Sequence, residues 1–276
     1  MPYVKVGEEN SGSIELYYED HGSGAPVVLI HGFPLSGASW EKQTPVLLDA
    51  GHRVITYDRR GFGASSKPTV GYDYDTFAAD LHALMETLDL RDATLVGFSM
   101  GSGEVTRYLS AYGSARVRKA VLLGPIPPFL LQTGDNPEGV PQGVFDGFEE
   151  AITKDRYAFF KGFCDNFYNV DTLGGARIGD EACQASYQVA VQASGYATLA
   201  CVSTWLTDFR ADLPKIDVPT LVVQGVEDRI LPIDATGRRL RTLIKDVTYQ
   251  EIADGPHAIN WTHADEVNRA LLAFLG

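Results

Sequence analysis

Six short apolar runs recur along the chain: Pro26–Ile30 (PVVLI), Arg53–Tyr57 (RVITY), Ala93–Phe98 (ATLVGF), Ala120–Leu123 (AVLL), Thr220–Gln224 (TLVVQ) and Val247–Ile252 (VTYQEI). Continuous apolar runs of this length predict strands covered on both faces, as in parallel sheets. Ser13–Glu19 (SIELYYE) instead alternates, and predicts a hairpin with Tyr3–Val6. Between the runs lie helical patterns. Tyr74–Leu88 puts Phe77, Leu81, Leu84, Met85 and Leu88 on one face, at three- and four-residue intervals. Met100–Tyr112 and Asp234–Ile244 predict further helices. Thr262-His263-Ala264-Asp265 resembles a capping box that opens a last helix through Phe274. Strand–helix alternation of this kind predicts an α/β fold with a mostly parallel, doubly wound sheet.

The alternation breaks once. From about Pro125 to Pro214 no strand pattern is visible, and the segment carries helical patterns rich in aromatics. The expected organisation is a core of residues 1–124 and 215–276, with a helical cap of residues 125–214 inserted between two strands. A chain of 276 residues with 45% hydrophobic positions can bury a sizeable core. No apolar run reaches the roughly 20 residues of a membrane span. The opening MPYVKVGEEN lacks the layout of a signal peptide, so a soluble cytoplasmic protein is expected. A net charge of −13 argues against nucleic acid and anionic membranes as partners. Cys164, Cys183 and Cys201 form no CxxC pair, which suggests neither a disulfide framework nor a zinc site. No metal or cofactor is expected. A homo-oligomer is compatible with the sequence.

The stretch LVGFSMGSGE places Ser99 between Gly97 and Gly101, after a buried strand and before a helix. A sharp turn there lifts a serine above the sheet edge at a helix N-terminus, and its neighbours are too crowded to carry a Cβ. A serine hydroxyl needs a base. Of six histidines, His257 (ADGPHAINW) follows a strand and lies C-terminal to Ser99. His263 is its rival, but it is expected at the surface in the first turn of a helix. A third group must orient the imidazole. GVEDRILP offers Glu227 and Asp228, and Asp228 is favoured by the chain order serine, acid, histidine. Oxyanion donors are expected from the backbone N–H groups of Met100 and of Phe33, in IHGFPLSGASW. His31 and Gly32 are expected to shape that loop without transferring protons.

HGFPLSGASW, YDRRGFGASS, GFSMGSGE, GVEDRILP and GPHAINWTHADEVN stand in an order and spacing that resembles the α/β-hydrolase superfamily. Within it they look like the cofactor-free haloperoxidase branch, which holds bacterial aryl esterases, perhydrolases and lactam hydrolases. The resemblance covers nearly the whole chain and implies an eight-stranded sheet, a helical cap, a Ser99–Asp228–His257 triad and an oxyanion hole from Phe33 and Met100. Relatives often carry glycine where this chain has Ala258. The superfamily's dehalogenases and epoxide hydrolases use an aspartate nucleophile, which Ser99 disfavours.

The expected activity is hydrolysis of small apolar carboxylic esters through an acyl-enzyme, with perhydrolysis as a side reaction. Lactam hydrolysis and lyase chemistry on the same triad are alternatives, and a silent ligand-binding hydrolase fold is the non-enzymatic one. The expected pocket uses Phe33, Pro34, Phe129, Phe160, Trp205, Ile230 and Leu231, and no basic residue is recognisable as a carboxylate holder. Pro34 lacks an N–H and restricts Phe33. It is therefore expected to fix the direction of the Phe33 carbonyl.

Overall fold

A computed structural model describes residues 2–276. Eight strands form one sheet: β1 (Tyr3–Glu9), β2 (Gly12–His21), β3 (Pro26–Ile30), β4 (Arg53–Tyr57), β5 (Ala93–Phe98), β6 (Val117–Leu123), β7 (Thr220–Gly225) and β8 (Val247–Ile252). Their spatial order is β1-β2-β4-β3-β5-β6-β7-β8. The first hairpin is antiparallel, as its alternating pattern predicts, and β2 runs antiparallel to β4. All other pairs are parallel. Every predicted apolar run lies within one of these strands.

The helices are α1 (Thr44–Asp49), α2 (Tyr74–Thr87), α3 (Met100–Tyr112), α4 (Gln142–Tyr168), α5 (Val170–Leu173), α6 (Asp180–Val191), α7 (Gly195–Thr204), α8 (Gly237–Leu243), α9 (Ile259–Thr262) and α10 (Ala264–Leu275). Four of them, α4 to α7, fall between β6 and β7, where the strand pattern lapses. Helix α4 is broken at Asp155, whose backbone is extended (φ −162°, ψ 91°). Its carboxylate accepts from the N–H groups of Tyr157 and Ala158 and so caps the second half.

Alternate residues of each central strand feed opposite faces of the sheet. Val27 and Leu29 join one core with Val96, Phe98 and the aromatics of α4, while Val28 and Ile30 join the other with Leu95 and Leu122. Burial on both faces explains why these strands read as unbroken apolar runs.

The chain leaves β3 toward β4 on one side and leaves β5 toward β6 on the other. Neighbouring strands whose connections diverge leave a crevice at their carboxyl ends. The register aligns these ends, with Ile30 beside Gly97, Phe98 beside Leu123, Leu123 beside Val223 and Gly225 beside Ile252. Loops after β3, β5, β7 and β8 therefore meet at one edge.

The expected capping box at Thr262 is not formed. The Thr262 hydroxyl donates to Ala258 O inside α9, and His263 occupies the cap position of α10 without a side-chain cap. The helix expected from Asp234 starts at Gly237, because Gly237 N–H is taken by the Gln224 side chain.

Candidate active site

Ser99 links β5 to α3 with φ 53° and ψ −119°, a region that side chains other than glycine rarely enter. Its N–H donates to Leu123 O at 2.9 Å, and the Ser102 hydroxyl donates to Ser99 O. The flanking glycines are required sterically. A Cβ on Gly97 would lie 2.4 Å from Gly101 O, and one on Gly101 would lie 2.3 Å from Ile30 O. The β3 loop comes equally close, since a Cβ on Gly32 would sit 2.8 Å from the Ser99 Cβ.

Asp228 and His257 come together from the β7 and β8 loops. The His257 Nδ1 lies 2.8 Å from Asp228 Oδ2, and both side chains are fully buried. Asp228 Oδ1 accepts from the N–H groups of Ile230 and Leu231 at 2.9 and 2.8 Å, and Gln224 Nε2 approaches Oδ2 at 3.2 Å. These bonds hold the carboxylate in one rotamer. Glu227 next to it is exposed, and Asp228 is the one of the two acids that is buried against His257.

The His257 ring is held between Phe98 and Phe167, with centroids 5.1 and 5.0 Å away. Its Nε2 is buried and has no partner, and no Ser99–His257 hydrogen bond is formed. The two residues are connected through β6. Ser99 N–H bonds Leu123 O, and the next residue, Gly124, has room for a Cβ only 3.4 Å from the imidazole. Such bonds are often long before substrate binds and tighten afterwards. Ala258, the departure from glycine, has φ −79° and donates its N–H to Phe167 O at 3.0 Å, so its methyl group needs no unusual backbone.

His263, expected at the surface, is buried instead. Its Nδ1 meets the Thr262 hydroxyl at 2.9 Å and its Nε2 lies 3.2 Å from Asp254, in the loop leading to His257. It packs between that loop and the start of α10.

Among the described residues, the N–H groups of Phe33 and Met100 donate to no protein acceptor. Met100 is the first residue of α3, where an N–H has no intrahelical partner. His31 is locked. Its Nε2 accepts from Arg59 N–H at 2.9 Å, so its Nδ1 carries the proton and donates to Gly32 O, also at 2.9 Å. Burial, with the Arg59 cation adding to it, pushes the imidazole well below its ordinary value. A neutral, fully used ring fits the loop-shaping role expected for it.

Sequence reasoning missed the ion pair beneath this loop. Arg59 Nε donates to Glu104 Oε2 at 2.8 Å, its Nη2 donates to His31 O at 2.9 Å, and the Tyr57 hydroxyl donates to Glu104 Oε1. Burial raises the Glu104 carboxyl, against Arg59, which pulls it down. The visible signal is an acidic residue on the buried face of the helix after Ser99. Arg60 and Asp80 form a second buried pair with two bonds of 2.7 Å.

A cavity of about 130 Å³ opens onto Ser99. Phe33, Trp205, Ile230 and Leu231 line it as expected. Three expected lining residues do not. Phe160 is wholly buried one layer behind Phe33, with ring centroids 6.2 Å apart. Phe129 turns toward Arg210, at 4.9 Å. Pro34 is buried under the β3 loop, joined to Phe33 by a cis peptide bond. Phe145, Phe148 and Phe163 of α4 fill their places. Arg229 also lines the cavity, a basic residue that sequence reasoning did not single out, paired with Asp171 at 2.8 Å.

The alpha/beta hydrolase fold family matches residues 25–264. A Synechocystis sp. protein with a provisional non-heme chloroperoxidase name is 66% identical over 275 residues, covering 100% of both chains. The bifunctional esterase/perhydrolase of Acinetobacter calcoaceticus is 34% identical over 279 residues, covering 100% of this chain and 99% of that one. Among solved structures, a bromoperoxidase from Bacillus anthracis superposes with a TM-score of 0.95 at 46% identity, covering 99% of this chain and 98% of that one.

Proposed function

The chain belongs to the α/β-hydrolase family, and on that premise we propose that it is a serine hydrolase cleaving small apolar carboxylic esters through an acyl-enzyme on Ser99. The observation that carries this is the fully buried Asp228–His257 pair, at 2.8 Å, packed on Phe98, the residue before a serine on a strained strand-to-helix turn. Asp228 holds His257 with Nδ1 protonated, which leaves Nε2 as the base. Nε2 takes the Ser99 proton as Oγ attacks the ester carbonyl, and returns it to the leaving alcohol. The developing oxyanion is received by the Phe33 and Met100 N–H groups, each worth roughly 10²–10³ in rate. Water then attacks the acyl-enzyme with His257 again as base. The lining of Phe33, Phe145, Phe148, Phe163 and Trp205 favours an apolar acyl group. In this reading residues 125–214 act as the cap over a core of residues 1–124 and 215–276.

Perhydrolysis follows from the same intermediate. Hydrogen peroxide replaces water, its oxygen bonds the acyl carbon, the Ser99 ester bond breaks, and a peracid leaves. Two observations favour it: the names of the relatives, and the buried Pro34, in the loop whose Phe33 carbonyl accepts no hydrogen bond among the described residues. That carbonyl would accept a hydrogen bond from the peroxide, while His257 Nε2 takes the proton of the attacking oxygen and returns it to the departing Ser99 Oγ. The test compares p-nitrophenyl acetate hydrolysis with peroxide-dependent bromination of a dimedone reporter in acetate. Both should fall with Ser99→Ala, by roughly 10⁶-fold in kcat for hydrolysis. Pro34→Leu should lose bromination more than hydrolysis. Hydrolysis that survives loss of Ser99 overturns the first reading. Bromination that survives it, or needs added metal, overturns the second.

A further inference from the structure

The acid loop is gripped from the helical segment on both sides of Asp228. Before it, Glu227 O accepts a hydrogen bond from Asn169 Nδ2 at 2.9 Å. After it, Arg229 pairs with Asp171 at 2.8 and 3.2 Å. The Glu227 N–H donates in turn to Gly255 O, and Ala258 N–H donates to Phe167 O, both at 3.0 Å. Three chain segments are thus tied around the Asp228–His257 pair: the α4–α5 junction, the β7 loop and the β8 loop. Apart from the Arg229–Asp171 pair, Asn169 supplies the one side chain among these hydrogen bonds.

We infer that Asn169 is a positioning residue for the catalytic acid, holding Asp228 against His257 through the Glu227 carbonyl. The inference rests on the serine hydrolase reading above. Asn169 is buried at 2% exposure, and it is both the last cap of α4 and the first of α5. Its backbone is left-handed, φ 50° and ψ 52°, a conformation asparagine enters more readily than most residues. Its carbonyl accepts from the N–H groups of Thr172 and Leu173, so the junction is fixed before its side chain is used. Its Oδ1 has no partner. The whole polar function of the side chain is therefore the single N–H donated to Glu227. The Arg229–Asp171 pair is exposed on both sides, and such pairs hold little. Of the two grips, the buried amide is the one that fixes the loop.

Two substitutions separate this role from mere stability. Asn169→Gly keeps the left-handed backbone and removes the amide. Asn169→Asp keeps the shape and sets an oxygen against the Glu227 carbonyl. Activity is measured per fluorophosphonate-titrated site, so unfolded protein is not counted. Both variants should lose kcat by about 10- to 100-fold, the scale of a misplaced catalytic group, with KM within about twofold. Asp171→Asn should stay near wild type. In an Asp228→Asn background, Asn169→Gly should cost little more, since residues acting as one unit are not additive. Wild-type kcat in Asn169→Gly, or a full additional loss on top of Asp228→Asn, overturns the inference. If Asp228→Asn itself left kcat intact, the failure would belong to the triad reading instead.

Discussion

Gly101→Ala places a single methyl group where α3 crosses the end of β3. The new Cβ would lie 2.3 Å from Ile30 O, 2.9 Å from Ile30 C and 3.0 Å from His31 O. Ordinary contact begins near 3.4 Å, so the two backbones must part by about 1.1 Å. The obstructing atoms are main chain in a central strand and cannot rotate away. Met100 N–H precedes this contact, and Phe33 N–H follows the β3 end it presses on. The separation therefore falls between the two N–H groups proposed to receive the oxyanion. A displacement near 1 Å costs about 10² in rate, while the overpacked contact costs about 1–3 kcal/mol of stability. The assay is kcat on p-nitrophenyl acetate per titrated site, with far-UV circular dichroism for folding. Gly162→Ala is the control: it lies in α4, has nothing within 4 Å of the added Cβ, and should leave kcat unchanged. If Gly101→Ala folds and keeps kcat within about threefold, the close approach of α3 to the oxyanion loop has no part in catalysis.

Asp228→Asn should lower kcat by about 10⁴. The amide oxygen would keep the Ile230 and Leu231 N–H bonds, turning the amide nitrogen toward His257 Nδ1. Glu227→Gln, an exposed change, should stay near wild type, and the reverse pattern would move the acid by one residue. His31 predicts a pH dependence of stability. Its folded value is depressed below the ordinary 6.5, so below about pH 6.5 the unfolded chain takes up a proton that the folded one refuses. Stability should fall with pH there, by up to about 1.4 kcal/mol per unit from this group. Denaturant melts between pH 6.5 and 5 should show a shallower slope in His31→Gln, and an unchanged slope would contradict a buried neutral His31.

The sheet was legible because its central strands are covered on both faces, which writes burial directly into runs such as PVVLI and ATLVGF. Ser99 was legible because the turn at its position excludes a Cβ on both sides, and Gly97 and Gly101 record that constraint in residue type. The pocket was less legible. Phe33 and Trp205 line it and Phe160 does not, yet all three are buried aromatics, and only packing decides which ring faces the cavity. His263 was misplaced for a related reason. A polar residue at a helix start reads as solvated, and nothing local reveals that Asp254 and Thr262 fold over it. The Arg59–Glu104 pair is separated by 45 residues in sequence, so its partners meet only through the β4 and α3 packing. Asn169 left no signal of its own, because its partner is a main-chain carbonyl.

The most direct test is the crystal structure of the protein after reaction with a small alkyl fluorophosphonate. One adduct is expected, on Ser99 Oγ, with the phosphonyl oxygen about 2.7–3.1 Å from both Phe33 N and Met100 N. His257 Nε2, unpartnered before reaction, should face the leaving-group side, and the alkyl group should lie among Phe145, Phe163 and Trp205. An adduct on another residue, or a phosphonyl oxygen turned to solvent away from both N–H groups, would contradict it.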